Sequence, residues 1–122
     1  VRDLSAAKKL FRDLLGQDVH HEENVAGQRV NAAMFRIGST SIELLEAMGP
    51  DSSIARFIEK KGEGVHHISF AVDDLERELR RLKDSGFQLV DEQPRPGADN
   101  YRVAFLHPKS TNGVLIEISQ KN

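Results

Sequence analysis

Cysteine is absent from the 122 residues. This excludes a disulfide framework, a thiolate metal site and a cysteine nucleophile. It suits a reducing, intracellular setting, so the expected location is the cytoplasm. No apolar run approaches the roughly 20 residues that a membrane span requires, and no membrane partner is expected. Basic excess is lacking too: 17 Lys and Arg face 19 Asp and Glu, a formal net charge of −2. Neutralising phosphates takes clustered cations, so an unselective nucleic-acid binder is excluded. What remains is 39% hydrophobic and 30% charged, an ordinary globular composition with enough chain for one compact domain.

The stretch Gly64-Val65-His66-His67-Ile68-Ser69-Phe70-Ala71-Val72-Asp73-Asp74-Leu75 organises the rest. It reads as a buried strand with a histidine pair at its start, running into an acidic helix entry. A shorter relative opens the chain: Val1-Arg2-Asp3-Leu4 matches Val72-Asp73-Asp74-Leu75 at an offset of 71 residues. The chain therefore holds a repeat, with module one at 1–60, a linker at 61–64 and module two at 65–122. In the second copy His67 lies five residues ahead of Val72, whereas nothing precedes Val1. The first strand of module one, and a histidine on it, are expected to be missing from this chain.

Residues 4–15 have apolar positions at 4, 7, 10, 11, 14 and 15, which is helical spacing. Asp3 or Ser5 can cap this helix and Gly16 can end it. A short strand is expected at 19–24, a hairpin from 29–37 and 41–46, and a short helix at 52–60 with Ile54, Phe57 and Ile58 inward. In module two a helix at 75–85 carries Leu75, Leu79 and Leu82 on one stripe, followed by a short strand at 87–91. Pro94 and Pro96 make 93–98 a rigid loop, since they fix φ and deny backbone donors. A second hairpin joins 101–106 to 113–119. Phe35 precedes Glu43 by 8 residues and Phe105 precedes Glu117 by 12, the same plan with a loop 4 residues longer. The expected class is α+β, built from paired βαβββ modules. Exposed sheet edges and the two leucine stripes predict a homodimer.

The last strand of each copy carries a glutamate among aliphatics, Ile42-Glu43-Leu44 and Ile116-Glu117-Ile118. Neighbours on a strand point to opposite faces, so each glutamate faces away from its aliphatic flanks. A carboxylate in such a strand needs a partner, because a buried unpaired charge is costly. A histidine from the first strand and a glutamate from the last, supplied once per repeat, would set two imidazoles and two carboxylates about a pseudo-twofold axis. Such donors suit a first-row divalent metal. The plain alternatives are an exposed edge-strand glutamate at Glu43 or Glu117 and a structural role for His66. His20 and His21 lie in a polar stretch and read as solvated, His107 packs in its loop, and Asp73-Asp74 caps a helix.

Gly62-Glu63-Gly64-Val65-His66-His67-Ile68, Asp91-Glu92-Gln93-Pro94-Arg95-Pro96-Gly97, Phe105-Leu106-His107-Pro108-Lys109-Ser110 and Gly113-Val114-Leu115-Ile116-Glu117 resemble the methylmalonyl-CoA epimerase family. That family belongs to the vicinal-oxygen-chelate, or glyoxalase-like, superfamily, and the resemblance spans essentially the whole chain. It implies the vicinal-oxygen-chelate fold, a divalent metal, typically cobalt with zinc, manganese or nickel as alternatives, and interconversion of the two epimers of methylmalonyl-CoA. By motif the metal ligands fall on His67, Glu43 and Glu117. Glu117 and Glu43 are the expected acid-base groups, while Arg95, Arg102 and Lys109 would meet the phosphates of the acyl-CoA. The family's remaining ligand, a histidine on the first strand, lies ahead of Val1. A further glutamate that some members carry on the strand matching 30–35 is absent here, where the residues are Val30-Asn31-Ala32-Ala33-Met34-Phe35. Two readings compete: another metal-dependent member of the superfamily, a glyoxalase or dioxygenase, and a metal-free module that binds an apolar ligand.

Overall fold

A computed structural model describes all 122 residues, Val1–Asn122. They divide into two compact units, Val1–Val65 and His66–Asn122. The class is mixed α+β, with three α-helices and two separate sheets.

Unit 1 opens with helix α1, Leu4–Leu15, at the predicted limits. The Asp3 carboxylate accepts from the Ala6 N–H at 3.1 Å and Gly16 closes the helix in the left-handed region at φ 67°, where glycine has no steric penalty. Strands β1 (His21–Val25), β2 (Val30–Ile37) and β3 (Thr40–Ala47) follow as an antiparallel sheet in chain order. Helix α2, Ser53–Lys61, is capped by the buried Ser52 hydroxyl, which accepts from the Ile54 N–H. Ala33, Phe35 and Leu44 are buried, with Leu4, Ala7, Phe11 and Leu15 of α1 packed on them.

Unit 2 holds β4 (Ile68–Ala71), helix α3 (Leu75–Asp84), β5 (Arg95–Pro96), β6 (Tyr101–Leu106) and β7 (Ile116–Lys121). The sheet order is β4-β7-β6-β5, with β4 parallel to β7 and the other pairs antiparallel. Leu75, Leu79 and Leu82 of α3 pack with Ala104, Leu106 and Ile118 as one core on one face of the sheet.

The repeat is visible in the hydrogen bonds. The Val1 nitrogen donates to Leu45 O at 2.9 Å in unit 1, and Val72 N–H donates to Ser119 O at 2.8 Å in unit 2. Leu4 N–H meets Glu46 Oε2 at 2.7 Å, and Leu75 N–H meets Gln120 Oε1 at 2.8 Å. Asp74 caps α3 as Asp3 caps α1. In both units the last strand thus satisfies a donor in the first turn of the helix, a group that the helix itself leaves without a partner. Residues 1–65 hold three strands where unit 2 holds four, and the neighbour that β7 finds in β4 has no counterpart beside β3.

Four expectations need correction. The 64–75 stretch is not a buried strand: β4 is a sheet edge, and Ile68, Ser69, Phe70 and Ala71 are all exposed. No strand forms over 87–91, where Leu89 makes only an isolated bridge to Leu106. Asp91 supplies the reason, because its side chain takes the Phe105 N–H at 2.9 Å and displaces a backbone partner; the edge strand forms instead at Arg95–Pro96, inside the predicted rigid loop. The match between the two hairpins is also shifted by one residue from the expected one. Glu43 faces Met34, whereas Glu117 faces Phe105, so Met34 and not Phe35 matches Phe105. Lastly, the leucine stripe of α3 is not an outer face but is covered by its own sheet, while α1 leaves Leu10 and Leu14 outward.

Packing predicts unequal costs for similar substitutions. Leu75→Ala, at a side chain with 0% exposure, is expected to destabilise by about 3 kcal/mol. Leu10→Ala, at 62% exposure, is expected to stay within about 0.5 kcal/mol. Denaturant unfolding of both variants reads the difference directly; comparable losses would mean that α1 covers an interface.

Candidate active site on the sheet face turned away from the helix

Alternation along the strands sorts unit 2 into two chemical faces. Ile116, Ile118, Ala104 and Leu106 turn to α3. Glu117, Ser119, Phe105 and Val103 therefore turn the other way. Parallel pairing adds Ser69 directly opposite Glu117, and His67, two residues before Ser69, follows the same face.

His67 and Glu117 meet there, each with 12% of its side chain exposed, with Nε2 and Oε2 3.9 Å apart. The Ser69 hydroxyl donates to Glu117 Oε1 at 2.7 Å. The His67 ring stands edge-on to Phe105, with centroids 5.4 Å apart, and the Arg95 guanidinium carbon lies 5.4 Å from the same ring's centre. Arg95 Nε is 3.3 Å from Asp91 Oδ1, within ion-pair range though not aligned as a hydrogen bond. Asp91 thus ties the loop carrying Arg95 to the Phe105 backbone.

Burial fixes the charge states. It pushes the His67 imidazole down to about 4, with the positive form of His66 adding to the effect. The two Nδ1 atoms are 3.0 Å apart, so one must donate and the other accept, and both rings cannot be protonated there. A proton on His67 Nδ1 leaves Nε2 as a lone pair directed toward the Glu117 side. Burial also raises the Glu117 carboxyl above its ordinary value, opposed by the Ser69 hydrogen bond and by the positive charge of Arg95. At neutral pH the His67–Glu117 contact is therefore not an ion pair. It joins a neutral donor atom to a carboxylate that is costly to keep charged, and such perturbed groups are what proton-transfer sites require.

Of the predicted site residues, the structure brings together His67, Glu117 and Arg95. Arg102 lies on the opposite face, where it grips Glu76 through two hydrogen bonds and reaches Gln120 Oε1 at 2.9 Å. Sheet alternation makes it a strut between α3, β6 and β7 rather than a neighbour of Glu117. Lys109 is exposed in a one-turn 3-10 segment, Pro108–Ser110, that His107 Nδ1 caps. Glu43 lies in unit 1, half-buried on β3 and turned away from the α1 core. No set of three His, Asp or Glu side chains clusters as a metal-holding group. Sequence reasoning missed Ser69, Ser119, Asp91 and Phe105. The signal for both serines was present, since each follows a recognised site residue by two positions on a strand.

The chain is similar to known proteins along its length. The sequence profile of the Glyoxalase/Bleomycin resistance protein/Dioxygenase superfamily matches residues 1–105. The uncharacterized protein YqjC of Bacillus subtilis is 41% identical over 120 residues, 98% of this chain and 86% of that protein. The ethylmalonyl-CoA/methylmalonyl-CoA epimerase of Cereibacter sphaeroides is 38% identical over 122 residues, covering 98% of this chain and 91% of that enzyme. A solved structure of a Streptomyces coelicolor methylmalonyl-CoA epimerase variant in complex with 2-nitronate-propionyl-CoA superposes with a TM-score of 0.95 at 35% identity. It covers 98% of this chain and 88% of that one.

The lowered imidazole predicts a pH-dependent stability. With an unfolded value of 6.5 and a folded value of about 4, the unfolded chain binds more protons between those limits. The stability tied to His67 is full above pH 6.5 and falls as the pH drops toward 4, by about 1.4 kcal/mol per unit at most. Glu117, which keeps its proton longer when folded, opposes this at the acid end. Thermal unfolding from pH 7 to pH 5 should show a steeper decline for the wild type than for His67→Gln; parallel curves would mean that His67 titrates normally.

Proposed function

The chain belongs to the Glyoxalase/Bleomycin resistance protein/Dioxygenase superfamily, and we propose that it is an epimerase of the isomerase class, interconverting the two epimers of methylmalonyl-CoA. The observation that carries this reading is a buried carboxylate, Glu117, raised above its ordinary value beside an imidazole held neutral. The named epimerases matching nearly the whole chain support the substrate.

The proton to be moved sits on a carbon between a thioester and a carboxylate. Glu117 accepts it on Oε2, the oxygen that Ser69 does not occupy. As the C–H bond breaks, its electron pair passes to the thioester oxygen as an enolate; a second acid on the other side of the carbon then delivers a proton to the opposite face, and Glu117 loses the abstracted proton to solvent. A base whose affinity has risen toward the working pH transfers protons best in both directions. Phe105, wedged between His67 and Arg95, walls the site and limits water. Arg95, with 41% of its side chain exposed, is the cation of this face suited to the acyl-CoA's anionic groups, and Lys109 is an outlying second.

His67 and Glu117 also fit as metal donors, since neutral imidazole with carboxylate is a usual set for first-row divalent ions. Cobalt, zinc, manganese or nickel bound there would act as a Lewis acid on the substrate oxygens. Glu43 joins the proposed ligand and acid-base groups by repeat equivalence with Glu117.

Wild-type protein should exchange the α-proton of methylmalonyl-CoA with solvent deuterium, followed by mass spectrometry. Glu117→Gln should slow exchange by at least about 100-fold. Treatment with a chelator should also stop it, and cobalt should restore it. Full exchange by Glu117→Gln would move the base elsewhere, and no exchange by the metal-supplied wild type would remove the epimerase reading.

A further inference from the structure

The register of the parallel strand pair points to a role for a residue outside the motif-derived site. We propose that Ser69 is a positioning residue, fixing the Glu117 carboxylate so that Oε2 is presented to the substrate; this rests on the epimerase reading above. Ser69 stands directly opposite Glu117 across β4 and β7, and its Oγ lies 2.7 Å from Glu117 Oε1. The same Oγ lies 3.1 Å from the Oγ of Ser119, a side chain that is buried.

A hydroxyl has one proton to give, and an ionised carboxylate can only accept. The Ser69 proton therefore goes to Glu117, and the contact between the serines is made by the Ser119 proton. The result is a directed chain from Ser119 through Ser69 to Oε1 of Glu117. It ties the carboxylate to two strands at once, because Ser69 belongs to β4 and Ser119 to β7. The terminal torsion of a glutamate is otherwise broad and nearly twofold, so an untethered carboxylate would not keep one oxygen toward His67. Ser69 needs no contact with substrate to act, and its effect falls on the orientation of the base.

The experiment compares wild type, Ser69→Ala, Ser69→Thr and Ser119→Ala in the methylmalonyl-CoA deuterium-exchange assay, with thermal unfolding alongside. Ser69→Ala should lower kcat by about 10-fold, as expected for a misplaced catalytic group, with KM changed by less than about twofold. Its unfolding midpoint should move by less than about 2 °C. Ser69→Thr keeps the hydroxyl and should recover most of the lost rate, while Ser119→Ala should fall between Ser69→Ala and wild type. Wild-type kcat in Ser69→Ala, or a change confined to KM, would overturn the proposal. So would a threonine variant as slow as alanine with a lowered midpoint, since that pattern belongs to a purely structural contact. Failure of the wild type to exchange at all would overturn the epimerase reading and this inference with it, whereas active wild type with an unaffected Ser69→Ala overturns this inference alone.

Discussion

Parallel pairing of β4 with β7 is the constraint on which the rest of unit 2 depends. It sets Ser69 against Glu117 and carries His67 to the same face, two residues earlier on the chain. A slip of one residue would exchange the faces of the whole strand. His67 and Ser69 would then turn toward the leucines of α3, and Phe70 would take their place. The register is held at both ends of the short strand, by Ile68 N–H to Leu115 O at 3.2 Å and by Val72 N–H to Ser119 O at 2.8 Å. The apolar stripe of α3 adds a preference that no polar residue on that face could meet.

Division of labour between the two faces explains why charged residues of similar type have different fates. On the helix side, Arg102 is bound to Glu76 and Gln120, and Gln120 also satisfies the first turn of α3. Those groups are partly exposed, and their worth lies in aligning helix with sheet more than in charge. On the side away from the helix, Glu117 and His67 are poorly solvated, and burial moves both toward their neutral forms. One sheet thus keeps stability and chemistry on opposite surfaces, so the site can hold costly groups without weakening the core behind it.

Much of this was legible in the residues alone. The 3.6-residue period set α1 to its observed ends and picked Leu75, Leu79 and Leu82 as the buried stripe. Asp3 and Gly16 were readable as caps because their chemistry suits no other helix position so well. The repeat was readable from spacing, which also singled out His67 and Glu117, the pair that the structure sets 3.9 Å apart. Exposure of β4 was not, since an apolar run does not reveal whether a strand ends up central or at an edge. Nor was the strand at Arg95–Pro96, where the Asp91 side chain pre-empts a ladder bond that propensity would give to 87–91. Arg102 was misjudged for a related reason: its type suggested phosphate, but the face it occupies follows from a register that only the paired strands define.

The account stands or falls on Glu117 as a buried carboxyl shaped to accept and return a proton. Its most direct test is a carbon-13 NMR titration of the Glu117 side-chain carboxyl in the folded protein, assigned by comparison with Glu117→Gln. Burial predicts an inflection above the ordinary 4.5. An inflection at or below 4.5 would mean that the Ser69 hydrogen bond and the Arg95 charge outweigh burial, leaving a permanently charged carboxylate unsuited to the reversible transfer assigned to it.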